Sequence, residues 1–240
     1  MENHRSTQPI LFDEIAPRYD FLNHLLSVGI DISWRRKLVN RLPENNQPYI
    51  LDVATGTADL AIMAAKRIPC RIIGYDIADR MLEIGERKIA QNSLTHKIQL
   101  IRGSVEDLPF ADNSFDAVMV AFGVRNFKNL PKGLSEMYRV LKPDGISLIL
   151  EFSIPENKIV RNLYHFYFFR IFPLIGGWLS KNRKAYTYLP ESVQQFPQGK
   201  HFERMLKGMG FRRTTFQSIT FGIAIPVSYT HLTLPTIYSV

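Results

Sequence analysis

The chain has 240 residues, 45% of them hydrophobic and 22% charged, with a formal net charge of +8. That suffices for one sizeable α/β domain with a small appended cover and is too short for two independent domains. A single cysteine, Cys70, excludes an internal disulfide framework, suits a reducing cytoplasmic setting and reads as a small buried hydrophobe beside a strand. The basic balance suits nucleic acid, an anionic membrane surface or simply solubility, but no arginine-rich tract, zinc-ligand spacing or aromatic RNA-binding signature accompanies it, so no nucleic-acid partner is expected. Residues 1–9 are polar and lack an apolar segment, so no signal peptide is expected.

Residues 1–48 read as a helical lead-in, with an amphipathic helix through Trp34, Arg35, Arg36 and Lys37 that ends near Leu42. This segment either covers a sheet edge or, with Tyr19, forms a lid over a ligand. Next come a short buried strand, Tyr49–Val53, a small-residue turn over residues 54–58, and an amphipathic helix from Asp59. Strands follow at Arg71–Asp76, Ile98–Arg102, Phe115–Ala121 and 146–152, with helices at 79–92 and 131–141 between them. The alternation predicts a mainly parallel sheet with helices on both faces, and ligands bound at the carboxyl ends of its strands. Asp52, Asp76, Ser104, Ala121 and Glu151 all fall at that rim. A helix at 200–209 and two last strands within 211–225, turning near Gly222, complete the fold.

The turn at 54–58 is the point of contact with a ligand. Its small side chains let a ligand approach the backbone, Gly56 is free to take a positive φ, and the following helix presents amide N–H groups. A dinucleotide site would place G-x-G-x-x-G here with the ribose-binding acid some 20 residues later. Instead the pattern is Ala54, Gly56, Ala58, with the acid Asp52 ahead of it, which suits a cationic ligand better than a pyrophosphate and disfavours a nicotinamide dehydrogenase. Asp76, at the end of the next strand, is placed to accept both hydroxyl protons of a ribose.

This arrangement resembles the first motif of class I S-adenosylmethionine (SAM) methyltransferases. Four further stretches resemble the ubiquinone/menaquinone biosynthesis C-methyltransferase family. They are residues 19–27 with Trp34, residues 122–126 (Phe-Gly-Val-Arg-Asn), residues 139–153 and residues 186–192. Leu22, Asp31 and Asp144 stand where that family usually has Met, His and Gly. The resemblance implies a Rossmann-like, seven-stranded fold over 49–226 with a helical insertion at about 156–198. It implies SAM held by Asp52, Gly56, Thr57, Asp76, Ser104, Val105 and Ala121, with Ser104 and Val105 at the adenine, the former where Asn or Asp is usual.

The implied acceptor is a prenylated quinol, most directly demethylmenaquinol, with a benzoquinol as the alternative. Arg125 would stabilise a phenolate and Asn126 orient the ring, though an ion pair and a turn cap are equally open roles for them. Tyr19, His165, Tyr186 and Tyr188 are further acceptor-side candidates. The aromatic run over 163–179 is too short and too interrupted to span a bilayer, and reads as a core helix pair or as an apolar lid for a prenyl tail. Cytoplasmic residence with peripheral contact at the inner membrane face follows from such an acceptor, and a homodimer is left open. A non-catalytic SAM-binding protein of a quinone-synthesis complex is the rival from another class.

Residues 227–240 leave the family pattern. The run Val-Ser-Tyr-Thr-His-Leu-Thr-Leu-Pro-Thr is matched codon for codon by sequencing-library adapter, so these residues are expected to be non-native; a divergent natural strand is the alternative.

Overall fold

The computed structural model describes residues 13, 16, 24, 27, 29–44, 47–171 and 183–230. Helix α1 (Ile30–Val39) precedes β1 (Tyr49–Val53), α2 (Asp59–Arg67), β2 (Arg71–Asp76), α3 (Asp79–Gln91), β3 (Ile98–Arg102) and β4 (Phe115–Ala121). After a 3₁₀ turn (Val124–Asn126) come α4 (Leu130–Arg139), β5 (Leu141–Phe152), α5 (Lys158–Phe166) with a π-helical turn (Tyr167–Ile171), α6 (Arg183–Gln195), α7 (Gly199–Gly208), β6 (Arg212–Phe216) and β7 (Ala224–Thr230).

Local chemistry sets several of these limits. The residue before a proline is pushed out of the helical region, and α2 ends accordingly at Ile68, extended at φ −130°, ahead of Pro69. Asn129 caps α4 by accepting from the Lys132 N–H, and Asn157 caps α5 by accepting from the N–H groups of Ile159 and Val160.

The seven strands form one sheet in the order β3-β2-β1-β4-β5-β7-β6. The pairs from β3 through β5 are parallel, and β7 runs antiparallel to both β5 and β6. Side chains alternate between two apolar layers. Ile50, Ile72, Met119 and Leu148 meet α1, α2 and Ile89 of α3 on one face, while Leu51, Ile73, Val118 and Ile149 meet Leu134, Met137, Phe202 and Leu206 on the other. The expected architecture, helices on both faces of a mainly parallel sheet, is the one observed. Because β1 lies between β2 and β4, the connections leave it in opposite directions, and such a switch point opens a crevice at the carboxyl end.

Two expected boundaries are corrected. The helix placed at 131–141 stops at Arg139, because Leu141 pairs with Phe115 as the first residue of β5. The strand then bulges before Ile146 resumes the register opposite Ala117. Asp144, where the resembling family has Gly, holds a left-handed φ of 61° in that bulge, a conformation aspartate tolerates better than most residues.

The final hairpin also runs past its expected end at Ile225. β7 continues to Thr230, with Val227 and Tyr229 buried, so the first four residues of the stretch read as non-native lie inside the sheet; residues 231–240 are outside the described set. Backbone pairing with β5 and alternating apolar side chains are enough to hold this register. The fit has faults: Pro226 cannot donate to the ladder, and the register partners Ser147 and Tyr229 both bury hydroxyls without a hydrogen bond. Removing an unpaired buried hydroxyl relieves its desolvation penalty. Tyr229→Phe is therefore expected to stabilise the protein by about 1 kcal/mol, roughly 2–4 °C in a thermal melt.

Candidate active site

The crevice at the end of β1 is shaped by a loop in which every second residue is left-handed: Ala54 at φ 52°, Gly56 at 56° and Ala58 at 65°. Alanine in this region is strained by about 1–2 kcal/mol, so other contacts must hold the loop. The Thr55 N–H donates to the Tyr75 carbonyl (3.2 Å), the Gly56 N–H to Asp76 Oδ2 (2.8 Å), and the Ala58 N–H to the Thr55 carbonyl (3.0 Å). Asp76 Oδ1 accepts from the Ala78 N–H as well (3.0 Å), so one carboxylate ties the loops after β1 and β2 together. The Gly56 and Ala58 amides are thus already used within the fold. Gly56 nevertheless opens outward: a Cβ there would meet nothing within 4 Å. On the far side a Cβ at Gly123 would lie 2.5 Å from that of Ala54, so the loop after β4 approaches this one as only glycine allows.

Asp52 is 1% exposed and accepts from the Thr55 hydroxyl at 2.6 Å. Burial pushes its carboxyl up to about 7; the nearby Asp76 charge adds to this, while Thr55 and Arg35 oppose it. Burial also raises the carboxyl of Asp76, against the pull of its backbone donors. Two adjacent carboxyls that would ionise more readily beside a cation, next to an open glycine face, fit a ligand carrying an ammonium group and a ribose. Asp76 has acceptor capacity left beyond its three amide donors, Gly56, Ile77 and Ala78, since an ionised carboxylate offers about four lone-pair sites.

Other expected cofactor contacts are placed differently. The Thr57 hydroxyl is buried and accepts from Lys88 Nζ (3.1 Å), which ties it to α3. The Ser104 hydroxyl donates to Glu106, whose other oxygen accepts the Asn129 N–H (3.0 Å). Val105 packs into the second apolar layer with Phe127 and Leu134, and Ala121 ends β4 half-buried at the rim.

Beyond the ends of β4 and β5, three of the resembling stretches meet. Arg125, in the 3₁₀ turn after β4, pairs with Glu151 at the end of β5 (2.6 Å), both side chains 4% exposed. Its guanidinium also donates to the Phe122 carbonyl (2.5 Å) and to Ser192 Oγ of α6 (3.3 Å), and lies 5.4 Å from the centre of the Phe152 ring. From the same helix the Tyr188 hydroxyl donates to Asn126 Oδ1 (3.0 Å). Arg125 is thus neutralised by Glu151, and the ion-pair role left open for it is the one the structure displays. Tyr164, on α5, is buried beside this pair; its hydroxyl has no hydrogen-bond partner among the described residues and burial raises it above the ordinary tyrosine range. His165 instead stacks on Phe169 (5.3 Å) and meets the edge of Tyr164. Tyr19 and the side chain of Tyr186 lie outside the described residues.

A chain of charges that sequence reading missed joins the lead-in to this crevice. Asp31, where the resembling family has His, is buried and accepts from His24 Nδ1 (2.8 Å), Ser27 Oγ (2.6 Å) and Arg35. Burial alone would raise its carboxyl, but Arg35, Ser27 and His24 together bring it below the usual carboxylate range. The other imidazole nitrogen of His24 lies 3.4 Å from Asp59, which also pairs with Lys88. Arg35 in turn stands over the Phe122 ring (5.3 Å). The i,i+4 spacing of Asp31 and Arg35 on a helix was the available signal.

Folded Asp52 keeps its proton to about pH 7, whereas the unfolded side chain releases it near 3.8. The folded state therefore binds more protons between these values, and the stability contribution of Asp52 falls as pH rises through that window. Asp52→Asn is expected to be about 1–3 kcal/mol more stable than the parent at pH 8, the gap closing toward pH 4, in urea unfolding at both pH values. Leaving one member of a buried pair alone costs about 3–5 kcal/mol, so Arg125→Met and Glu151→Leu should each destabilise by that amount, and the double variant by less than their sum.

Comparison with known proteins agrees with this geometry. The model of the ubiE/COQ5 methyltransferase family matches residues 2–231. A ubiquinone/menaquinone biosynthesis C-methyltransferase of Geotalea daltonii is 49% identical, covering 89% of this chain and 92% of its own length. A demethylmenaquinone methyltransferase of Bacteroides fragilis is 46% identical over 89% of this chain and 87% of its own. Among solved structures, a SAM-dependent methyltransferase of Thermotoga maritima superposes with a TM-score of 0.64 at 15% identity, over 92% of this chain and 98% of its own, which supports the fold. With a family model spanning nearly the whole chain and relatives near half-identical across it, the protein belongs to the ubiE/COQ5 methyltransferase family.

Proposed function

We propose that the protein transfers the methyl group of SAM to a ring carbon of a prenylated quinol, with demethylmenaquinol as its acceptor. The observation that carries the donor half is the pair of buried carboxyls, Asp52 and Asp76, beside the open face of Gly56. Asp52 takes the ammonium of the methionine part and Asp76 the ribose hydroxyls, while Ser104 with Glu106 and the neighbouring Val105 border the adenine. A sulfonium methyl is already activated, so the protein supplies alignment rather than a strong nucleophile.

The ring carbon of the acceptor becomes electron-rich as its phenolic proton leaves. Arg125 and Asn126 stand nearest to that role, and their partners define what they offer. The Arg125–Glu151 pair is neutral overall, so it fixes the shape and polarity of the acceptor cleft without adding a net charge to it. Asn126, held through its carbonyl oxygen by Tyr188, reaches the Phe122 carbonyl with one amide hydrogen (3.5 Å) and has the second to orient an acceptor oxygen. Peripheral contact with the cytoplasmic membrane face follows from an acceptor whose tail resides in lipid. Methylation of a benzoquinol is the second reading, favoured by the ubiquinone half of the Geotalea daltonii relative's name.

Incubation with SAM and each reduced quinol, followed by mass measurement, is expected to give a singly methylated naphthoquinol; tight SAM binding with no product from either quinol would overturn the reading. Binding an ammonium against Asp52 expels its proton, so SAM affinity should fall by up to about tenfold per pH unit below pH 7. In calorimetry, Asp52→Asn should flatten that profile and weaken binding, and Asp76→Asn should weaken it at every pH. If neither variant binds SAM more weakly, the pocket is misassigned.

A further inference from the structure

Helix α5 is anchored on one side and unoccupied on the other. Tyr164, with Phe168 in the turn that follows, is buried against Val193 and Phe152, as expected of a core helix. On its opposite side Ile159, Leu163 and Phe166 are 80%, 68% and 58% exposed. Spacings of four and three residues place these three in one stripe. A helix of a soluble domain normally turns charged residues outward, so a helix apolar on both sides has a second apolar environment to meet.

The hairpin between β6 and β7 adds to the same edge. It is pinched where Ile219 and Ala224 bridge, and Phe221 stands at its tip, 83% exposed with φ 56° and ψ 23°. A phenylalanine in the left-handed region is a strained outlier, and such strain persists only where the surroundings hold it. Here the Trp34 indole donates to Thr220 Oγ1 (2.8 Å) and Ser153 Oγ to the Gly222 carbonyl, which fixes the turn on both sides of Phe221. Gly222 lies against Pro155, just ahead of α5, and Ile223 packs onto the Tyr164 and Phe168 cluster, so the tip sits beside the helix that carries the stripe.

We infer that this edge, formed by Ile159, Leu163, Phe166 and the Phe221 tip, docks on the surface of an anionic lipid bilayer. Charge selects that occupant over an apolar protein groove. Residues 156–171 carry Lys158, Arg161 and Arg170 against the single acid Glu156, and none of the three cations has an ion pair among the described residues. Apolar side chains flanked by cations match the layering of an interface, where rings and branched chains enter the acyl boundary and cations remain with anionic headgroups. Depth is limited to that boundary, as no helix among the described residues is long and apolar enough to cross a membrane. The inference deepens the quinol reading, because Tyr164 on the inner side of the same helix faces the Arg125–Glu151 pair; docking would bring that cleft to where a prenylated acceptor resides.

Co-sedimentation of the full chain with phosphatidylcholine vesicles, with and without phosphatidylglycerol, tests the inference. The parent protein is expected to bind the anionic vesicles, with affinity falling as salt is raised. Each loss of a large apolar contact should weaken partition by roughly tenfold, so Phe221→Ser with Leu163→Ser should reduce binding by about 100-fold while leaving the thermal melt and SAM affinity unchanged. Equal partition of parent and double variant, or no binding of the parent to anionic vesicles, would overturn it. So would a concentration-dependent dimer, seen without vesicles and lost in the double variant, which would assign the edge to a second copy. No quinol enters this measurement, so failure of the methylation assay alongside normal vesicle binding would fault the substrate and spare the edge.

Discussion

One carboxylate holds the crevice together. Asp76 accepts the N–H groups of Gly56 and Ala78 and so draws the loops after β1 and β2 into one rim. Without an acceptor there, the three left-handed residues at 54, 56 and 58 would have little to set against their strain. What the strain obtains is an exposed glycine face flanked by two buried acids. Asp52, by contrast, is tied to Thr55 and to the Ala61 backbone N–H, and its ionised form is costly in so buried a place. The two aspartates therefore differ in what they do for the fold: Asp76 ties two loops together, while Asp52 lies buried beneath them.

A similar division runs through the acceptor side. The loop after β4, the end of β5 and helix α6 are joined by Arg125, which reaches Phe122, Glu151 and Ser192 at once. A buried guanidinium so fully engaged positions its neighbours more than it attacks anything. The catalytic burden then falls on alignment, which accords with a donor whose methyl group is already activated. Tyr188 completes the arrangement by fixing Asn126, so the helical insertion controls the orientation of a side chain delivered by the sheet.

Much of the fold was legible because parallel strands buried on both faces leave a strong mark. β1, β2, β3 and β4 fall where apolar runs bounded by turn residues predict them. Boundaries slipped where pairing outweighs pattern: Leu141 leaves a helical rhythm to pair with Phe115, and Val227 to Thr230 extend a strand by alternation alone. For the site, the acids at strand ends were readable, since topology brings every such residue to one rim. The direction of a side chain was not. Thr57 turns toward Lys88, Ser104 is claimed by Glu106, and the Asp31–Arg35 contact brings together groups whose roles depend on what lies beneath the helix. Such choices are made by burial and by competing partners across the fold, which spacing along a chain does not encode.

The charges from Asp31 through His24 and Asp59 to Lys88 span the lead-in, the helix after the strained loop and the next helix of the sheet layer. Since Lys88 also grips Thr57 within that loop, the cover and the donor pocket share members of one network. Thermodynamic reciprocity then applies: whatever free energy donor occupancy lends to the lead-in, an ordered lead-in returns to the donor. Coupling of that kind would pass through a histidine held between two acids.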